Sequence, residues 1–196
     1  MLTLYRAPFS TNVERVALAL AHKDLAAESV WIEYTDRSPV EEVSGQGLVP
    51  VLVDDGNVVV DSMVIVRYLE KHHPQPPLYP ADPARREEVL VFIDWFNQVW
   101  KVWPNAIEAG QGIEESAAQM RRSLDRFEAL LDARDHLMGD DFSAADCCAF
   151  PFLKYGLMRD PEDDELFHQI LEEHLQLDGH PRTADWVRRV AERPKA

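Results

Sequence analysis

Long apolar runs, basic stretches and separated cysteines are all missing from this chain of 196 residues. No apolar stretch approaches the ~20 residues that a bilayer-crossing helix needs, so no membrane span is expected. Residues 1–6 read as a strand and lack the charged, apolar and small-residue regions of a signal peptide. The net charge is −15 and no basic run interrupts it, which argues against nucleic acid or an anionic membrane surface as partner. Cys147 and Cys148, the two cysteines, are neighbours and cannot comfortably bridge each other. There is no Asn-X-Ser/Thr acceptor. A reducing cytoplasm is the expected compartment. The 7 histidines show no ligand spacing, so no metal site is expected.

What remains is enough to build a core. Hydrophobic residues make up 46% of the chain, enough for one large domain or two small ones. The first 73 residues alternate strand and helix signals. Leu2-Thr3-Leu4-Tyr5 reads as a strand, and residues 11–23 as a helix with Val13, Val16, Ala17, Leu20 and Ala21 on one face. Residues 29–34 read as a second strand, parallel to the first by the βαβ rule. A polar loop containing glycine follows. Val51-Leu52-Val53 and Val58-Val59-Val60 then flank Asp54-Asp55-Gly56-Asn57, a hairpin signal, and a helix opens at Ser62 and runs to His72.

The composition then changes. Pro74, Pro76, Pro77, Pro80 and Pro83 crowd a short segment, residues 74–84, which reads as a stiff linker. Residues 85–196 are read as all helical. The first of these helices, residues 85–103, carries Val89, Phe92, Ile93, Phe96, Val99, Trp100 and Trp103 and is expected to end at Pro104. Further helices are expected at residues 113–137, 144–158, 162–176 and 182–192, with Pro151 kinking the third.

Several residues admit purely local readings. Pro50 by itself can be a turn proline. Asp61-Ser62 suits the capped start of a helix. Thr11-x-x-Glu14 and Ser143-x-x-Asp146 both fit capping boxes, the latter with Phe142 placed to staple against Cys147. Cys147 and Cys148 read as packing residues, and Trp95, Trp100 and Trp103 as helical core or a dimer face. His168 and His174 sit in a segment that reads as acidic and exposed.

In combination, five motifs resemble the glutathione S-transferase family, in its serine-type bacterial form, across nearly the whole chain. They are "PFSTNVERVALAL", "GLVPVL", the Asp61-Ser62 pair, "FSAADCCAFPFL" and "HPRTADWVRRVAERPKA". The resemblance implies a thioredoxin-like α/β domain followed by an all-α domain. It implies Ser10 as the catalytic hydroxyl, donating to the glutathione sulfur and favouring the thiolate, with Tyr5 as rival and Asn12 or the Thr11 N–H as helpers. It implies a cis Pro50 that turns the backbone of Val49 toward the cysteinyl part of glutathione, much as an added strand would. Asp61 and Ser62 would hold the γ-glutamyl end, the carboxylate at the positive end of the helix. Pro8, Phe9, Trp100 and Trp103 would wall the pocket of a small hydrophobic electrophile.

The resemblance further implies detoxification chemistry and no cofactor, with glutathione as co-substrate. It also implies a homodimer joined through residues 85–103 and 113–137. Ser10 and Val13 stand where a thiol-exchange enzyme would carry Cys-x-x-Cys, which disfavours thiol–disulfide chemistry. A glutathione- or ligand-binding protein with little catalysis, or a glutathione-dependent isomerase or lyase, are the alternatives on the same fold. One departure stands out. Leu48 occupies the position where the family often has Lys or Gln at the glycine end of glutathione, leaving Arg37 and Gln46 to compensate.

Overall fold

The computed structural model describes residues 1–196, which form two units: residues 1–78 with 194–196, and residues 79–193. The first unit is built on a four-stranded sheet in the order β2-β1-β3-β4. β1 (Leu2–Arg6) leads through α1 (Thr11–His22) to β2 (Ala27–Trp31), and the two strands pair in parallel from Leu2↔Ala27 to Arg6↔Trp31. β3 (Val51–Asp54) runs antiparallel to β1, and β4 (Asn57–Val60) pairs with β3 as a hairpin. Its turn places Asp55 and Gly56 at φ 47° and 88°, the paired left-handed conformation that matches strand twist and that Asp-Gly tolerates. α3 (Ser62–His72) closes the unit and packs on α1.

The segment that reads as a polar loop contains a further helix, α2 (Ser38–Ser44). Its apolar face is only Val40 and Val43, too short a pattern to stand out from the surrounding charge. Its punctuation is nonetheless regular, with Pro39 in the first turn and Gly45 left-handed at the end. Val40 is fully buried with Ile32 and Val51, and Tyr5, Val30, Val43 and Val49 pack around them. Side chains alternate along a strand, so this cluster lies on the opposite face of β1 from the buried Leu2 and Leu4. β2 also ends at Trp31 rather than residue 34, because residues 33–36 turn back on themselves through a Glu33↔Asp36 bridge.

One buried cation ties this unit together. Lys23 Nζ reaches Glu70 Oε2 at 2.7 Å, the carbonyl of His73 at 2.7 Å and that of Pro76 at 3.0 Å. Glu70 also accepts from the N–H of Leu78. Such a pair holds only when every donor is met, and here the ammonium meets three acceptors. Residues 194–196 return to the same unit, with Ala196 N–H on the Ala17 carbonyl and Lys195 on Glu14.

The second unit is helical: α4 (Pro83–Trp95), α5 (Val102–Glu108), α6 (Ile113–Leu130), α7 (Ala144–Leu153), α8 (Leu166–His174) and α9 (Pro181–Ala191). Pro104 does not end the first helical stretch. A π-helical turn over Phe96–Trp100 intervenes, with Lys101 N–H bonding five residues back to Phe96, and α5 then carries Pro104 in its first turn. That is where a missing N–H costs least. α6 stops at Leu130, seven residues before the expected end, and Leu137 is instead a buried loop residue. α7 ends at Leu153 in a single 3₁₀ turn, α8 is shorter than expected at both ends, and α9 lies within one residue of its expected bounds.

The Ser143–Asp146 capping box is formed, and Asp146 does more than cap. Its fully buried carboxylate accepts from the Ser143 N–H and hydroxyl, the Leu137 N–H and the Trp186 indole N–H. His168 is buried, contrary to its exposed-looking sequence context. It stacks on Tyr155 with ring centroids 4.5 Å apart, and its Nδ1 lies 2.9 Å from Asp163. No helix is long and apolar enough to cross a membrane.

Candidate glutathione site

The candidate site residues of the first unit sit at the N-termini of α1 and α3 and in the segment leading into β3. Ser10 is the N-cap of α1, and its Oγ accepts from the Val13 N–H at 3.4 Å. The capping role expected of Thr11 therefore belongs to Ser10. Thr11 is buried, and Glu14 pairs with Lys195. With its oxygen held by the backbone, Ser10 keeps its hydroxyl proton to donate outward. Phe9 precedes it at φ 57°, a left-handed conformation that a non-glycine residue adopts only under constraint.

Asp61 is the second constrained residue, at φ 72° and ψ 127°. It caps α3 through one oxygen, Oδ1, which accepts from Met63 and Val64 N–H at 2.9 and 3.0 Å. Oδ2 is left to receive another donor. Ser62, the first helical residue, is 4% exposed, and its hydroxyl accepts from Arg15 Nη1 at 3.3 Å.

Arg15 is the residue that sequence reasoning missed. It is almost fully buried on α1 and reaches both Ser62 and the Asn12 amide oxygen, each at 3.3 Å. One guanidinium thus joins the two helix N-termini and adds positive charge beneath α3. The available signal was an arginine set among Val13, Val16 and Ala17, where a solvated side chain would have been out of place.

The Val49–Pro50 peptide is cis. Paired residues of β3 begin at Val51, so the backbone of Val49 lies outside the ladder, while its side chain packs with the cluster that includes Tyr5. Leu48 is 74% exposed. The Gln46 side chain clamps the Leu48 backbone, accepting its N–H at 2.6 Å and donating to its carbonyl at 2.9 Å. Gln46 is thereby occupied, and of the two compensating residues named above only Arg37 remains. Its guanidinium lies 4.6 Å from the Tyr34 ring centroid.

Of the four expected pocket walls, Pro8 is exposed and Phe9 and Trp103 are half-buried. Trp100 is a correction. It is fully buried in the helical unit, stacked on Phe96 at 4.5 Å, and its indole N–H donates to Ser123 Oγ at 2.9 Å. A tryptophan with both its face and its N–H satisfied inside a core has no surface left for a substrate. Burial pushes the Cys147 thiol well above its usual range and the adjacent Asp146 carboxylate adds to this, so it offers no reactive thiolate. No group of three or more His, Cys, Asp or Glu residues comes together in a way that could hold a metal ion.

A thioredoxin-like sheet with a charged, hydroxyl-bearing helix end, followed by an all-helical unit, defines a two-domain transferase fold. Residues 4–77 match the family profile for the glutathione S-transferase N-terminal domain, and residues 101–194 that for the C-terminal domain. The chain belongs to the glutathione S-transferase family. It is 28% identical over 211 residues to glutathione S-transferase GstB of Escherichia coli K12, covering 99% of this chain and 95% of that one. A stringent starvation protein A homolog of Pasteurella multocida is 28% identical over 156 residues, covering 78% of this chain and 74% of the relative. The crystal structure of a glutathione S-transferase from Rhodospirillum rubrum superposes with a TM-score of 0.78 at 28% identity, over 99% of this chain and 89% of that one.

Proposed function

We propose that this protein is a glutathione transferase that holds glutathione as its thiolate against a small hydrophobic electrophile. The observation that carries the reading is the Arg15 bridge, which fixes Ser62 at the N-terminus of α3 and Asn12, two residues beyond Ser10, on α1. The γ-glutamyl carboxylate would dock on the Ser62 hydroxyl and the Ser62 N–H, with Arg15 and the helix end supplying positive potential. Its ammonium would meet Asp61 Oδ2. The cysteinyl backbone would pair with the N–H and C=O of Val49, and the sulfur would receive the Ser10 hydroxyl proton as a hydrogen bond.

A thiol has a pKa of about 8.5 when free and between roughly 3.5 and 7.5 beside a helix N-terminus and a donor. At neutral pH the site would therefore present a nucleophile rather than a thiol. The thiolate forms a carbon–sulfur bond with the electrophilic carbon as the carbon–halogen bond of a substrate such as an aryl halide breaks and halide leaves to solvent with the bonding pair, the thiol proton having already left to solvent. Ser10 donates a hydrogen bond without giving up its proton, so it stabilises the anion without being consumed. Tyr5 is the poorer activator, because its ring packs with the Ile32, Val40 and Val51 cluster.

A second reading, a binding protein of the same fold, is favoured by Leu48, which offers the glycine carboxylate neither charge nor hydrogen bond. Retention on immobilised glutathione, combined with turnover of a simple aryl halide, separates the two. Retention with turnover supports the transferase. Retention without turnover supports the binder, and loss of both overturns glutathione as the ligand.

A further inference from the structure

Tyr34 belongs to no motif in the chain, yet it touches two parts of the proposed site at once. Its hydroxyl donates to the carbonyl of Pro8 at 3.0 Å, in the loop that leads through the constrained Phe9 to Ser10. The Arg37 guanidinium lies over its ring, 4.6 Å from the centroid. The backbone fixes both residues. Tyr34 lies in the turn closed by the Glu33↔Asp36 bridge, and Arg37 is the N-cap residue of α2, its carbonyl accepting from Val40 and Glu41. Asp36, between them, is held by the N–H and hydroxyl of Ser38. Those bonds also keep its carboxyl below the usual range, the hydroxyl bond contributing most.

The stem of Arg37 also lies against the loop that feeds Val49. A β-carbon built on Gly47 would stand 3.0 Å from Glu41 Oε1, 3.5 Å from Arg37 Cβ and 3.8 Å from Cγ. Glycine at this point leaves the arginine room to lie along the loop. This matters for direction. If the γ-glutamyl group is at Ser62 and the cysteinyl backbone at Val49, the glycine carboxylate leaves on the far side of Val49, toward Gly47 and Arg37. Gln46 is clamped on Leu48 and Leu48 is apolar, so Arg37 is the cation that can meet it there.

We infer that Tyr34 is a positioning residue that aims Arg37 at the glycine carboxylate of glutathione and ties that contact, through Pro8, to the loop carrying Ser10. The inference rests on the proposed glutathione site. An arginine at the surface loses much of its value to side-chain freedom, and a ring beneath its planar face restricts it. A surface cation–π contact is worth about 0.5–1 kcal/mol, which corresponds to roughly a two- to fivefold change in affinity.

The test compares glutathione with γ-glutamylcysteine, which lacks the glycine, by calorimetry on the wild type, Tyr34→Phe, Tyr34→Leu, Arg37→Leu and the double variant Tyr34→Leu/Arg37→Leu. Tyr34 is 46% exposed, and a thermal melt of each variant confirms that the fold is kept. Tyr34→Leu is expected to weaken glutathione about two- to fivefold while leaving γ-glutamylcysteine unchanged. Arg37→Leu should weaken glutathione more, and the double variant no further than Arg37→Leu alone. Tyr34→Phe keeps the ring and should keep the preference for glutathione, but should shift the titration of the bound thiol because the Pro8 contact is lost. Equal losses for both ligands in Tyr34→Leu, additive losses in the double variant, or no change at all would overturn the role of Tyr34. An unshifted thiol titration in Tyr34→Phe would overturn the link to the Ser10 loop. No binding of either ligand by the wild type would overturn the glutathione site itself, and this inference with it.

Discussion

Ser10 does two things with one oxygen. It caps α1 through the Val13 N–H and keeps its proton to donate. Replacing it with alanine removes both, but the cap is worth about 1 kcal/mol of stability, while the thiolate bond acts mainly on the reacting state. Ser10→Ala is therefore expected to lower turnover far more than glutathione affinity, and to raise the pKa of the bound thiol. Thiolate absorbance followed against pH reads this directly, and an unchanged titration would move the activating role to Asn12 or Tyr5. Leu48 is the other single residue with a clear consequence. Its backbone is already locked by Gln46, so Leu48→Lys adds a charge to a fixed loop. A charged hydrogen bond is worth about 1.5–3 kcal/mol, and glutathione affinity should rise about tenfold or more while γ-glutamylcysteine gains much less. Equal gains for both ligands would mean that the lysine acts only as general charge.

Helix ends decide the element scale. The N-terminus of α9 is capped from a distance by Glu128 of α6, which accepts from the N–H groups of Arg182 and Thr183 and from the Thr183 hydroxyl. Burial works against the charged carboxylate, but these donors and the Arg182 charge outweigh it, so its pKa lies below the ordinary 4.5. A carboxylate with a depressed folded-state pKa contributes stability that is present above its unfolded value and lost as pH falls through the folded one. Glu128→Gln should accordingly cost stability at pH 7, and the gap to wild type should close below about pH 4. Urea unfolding at the two pH values measures it, and a gap that persists in acid would show that shape rather than charge holds α9. Gly156 makes the opposite kind of demand, for space. A β-carbon there would sit 2.1 Å from the carbonyl oxygen of Leu175, a backbone atom that can move only with the end of α8. Gly156→Ala is expected to lower stability by about 1–3 kcal/mol, read as a lower melting temperature.

At the scale of the whole molecule, the family's dimeric habit makes a second copy the expected occupant of one surface. A groove of about 840 Å³ runs along α4 and α6, floored by Phe92 and Trp95 and edged by Arg85, Arg126 and Arg134. Val91 stands 59% exposed within it. Glu88 and Asp132 line the same groove, and Arg85 is already paired with Glu88 at 2.7 Å, so its charge is mixed and its apolar floor is the part that a partner would cover. We propose that copies associate through this face. Val91→Arg should then convert dimer to monomer in sedimentation velocity. A wild type that sediments as a monomer, or a variant that stays dimeric, would place the contact elsewhere.

Apart from α2, the strand and helix order of the first unit, the hairpin turn and the Ser143–Asp146 box were legible in the sequence. Each is local, set by side-chain period, by Asp-Gly conformational freedom or by a three-residue spacing that the backbone reads directly. Ser10, Val49, Asp61 and Ser62 were named differently, through the resemblance of short, contiguous motifs to the glutathione S-transferase family. Other features depend on residues far apart in the chain. Arg15 meets Ser62 across 47 positions, and Tyr34 meets Pro8 across 26. Trp100 turned inward because the π-helical turn and Ser123 on α6 gave its ring and N–H a better place than solvent, and α2 formed because Val40 had Ile32 and Val51 to cover. Local pattern was sufficient for the strands, for the existence of the longer helices and for the motifs on which a thiol-binding chemistry was sought. Which charged and aromatic side chains face that chemistry was settled by folding, because burial and pairing depend on neighbours that are distant in the chain.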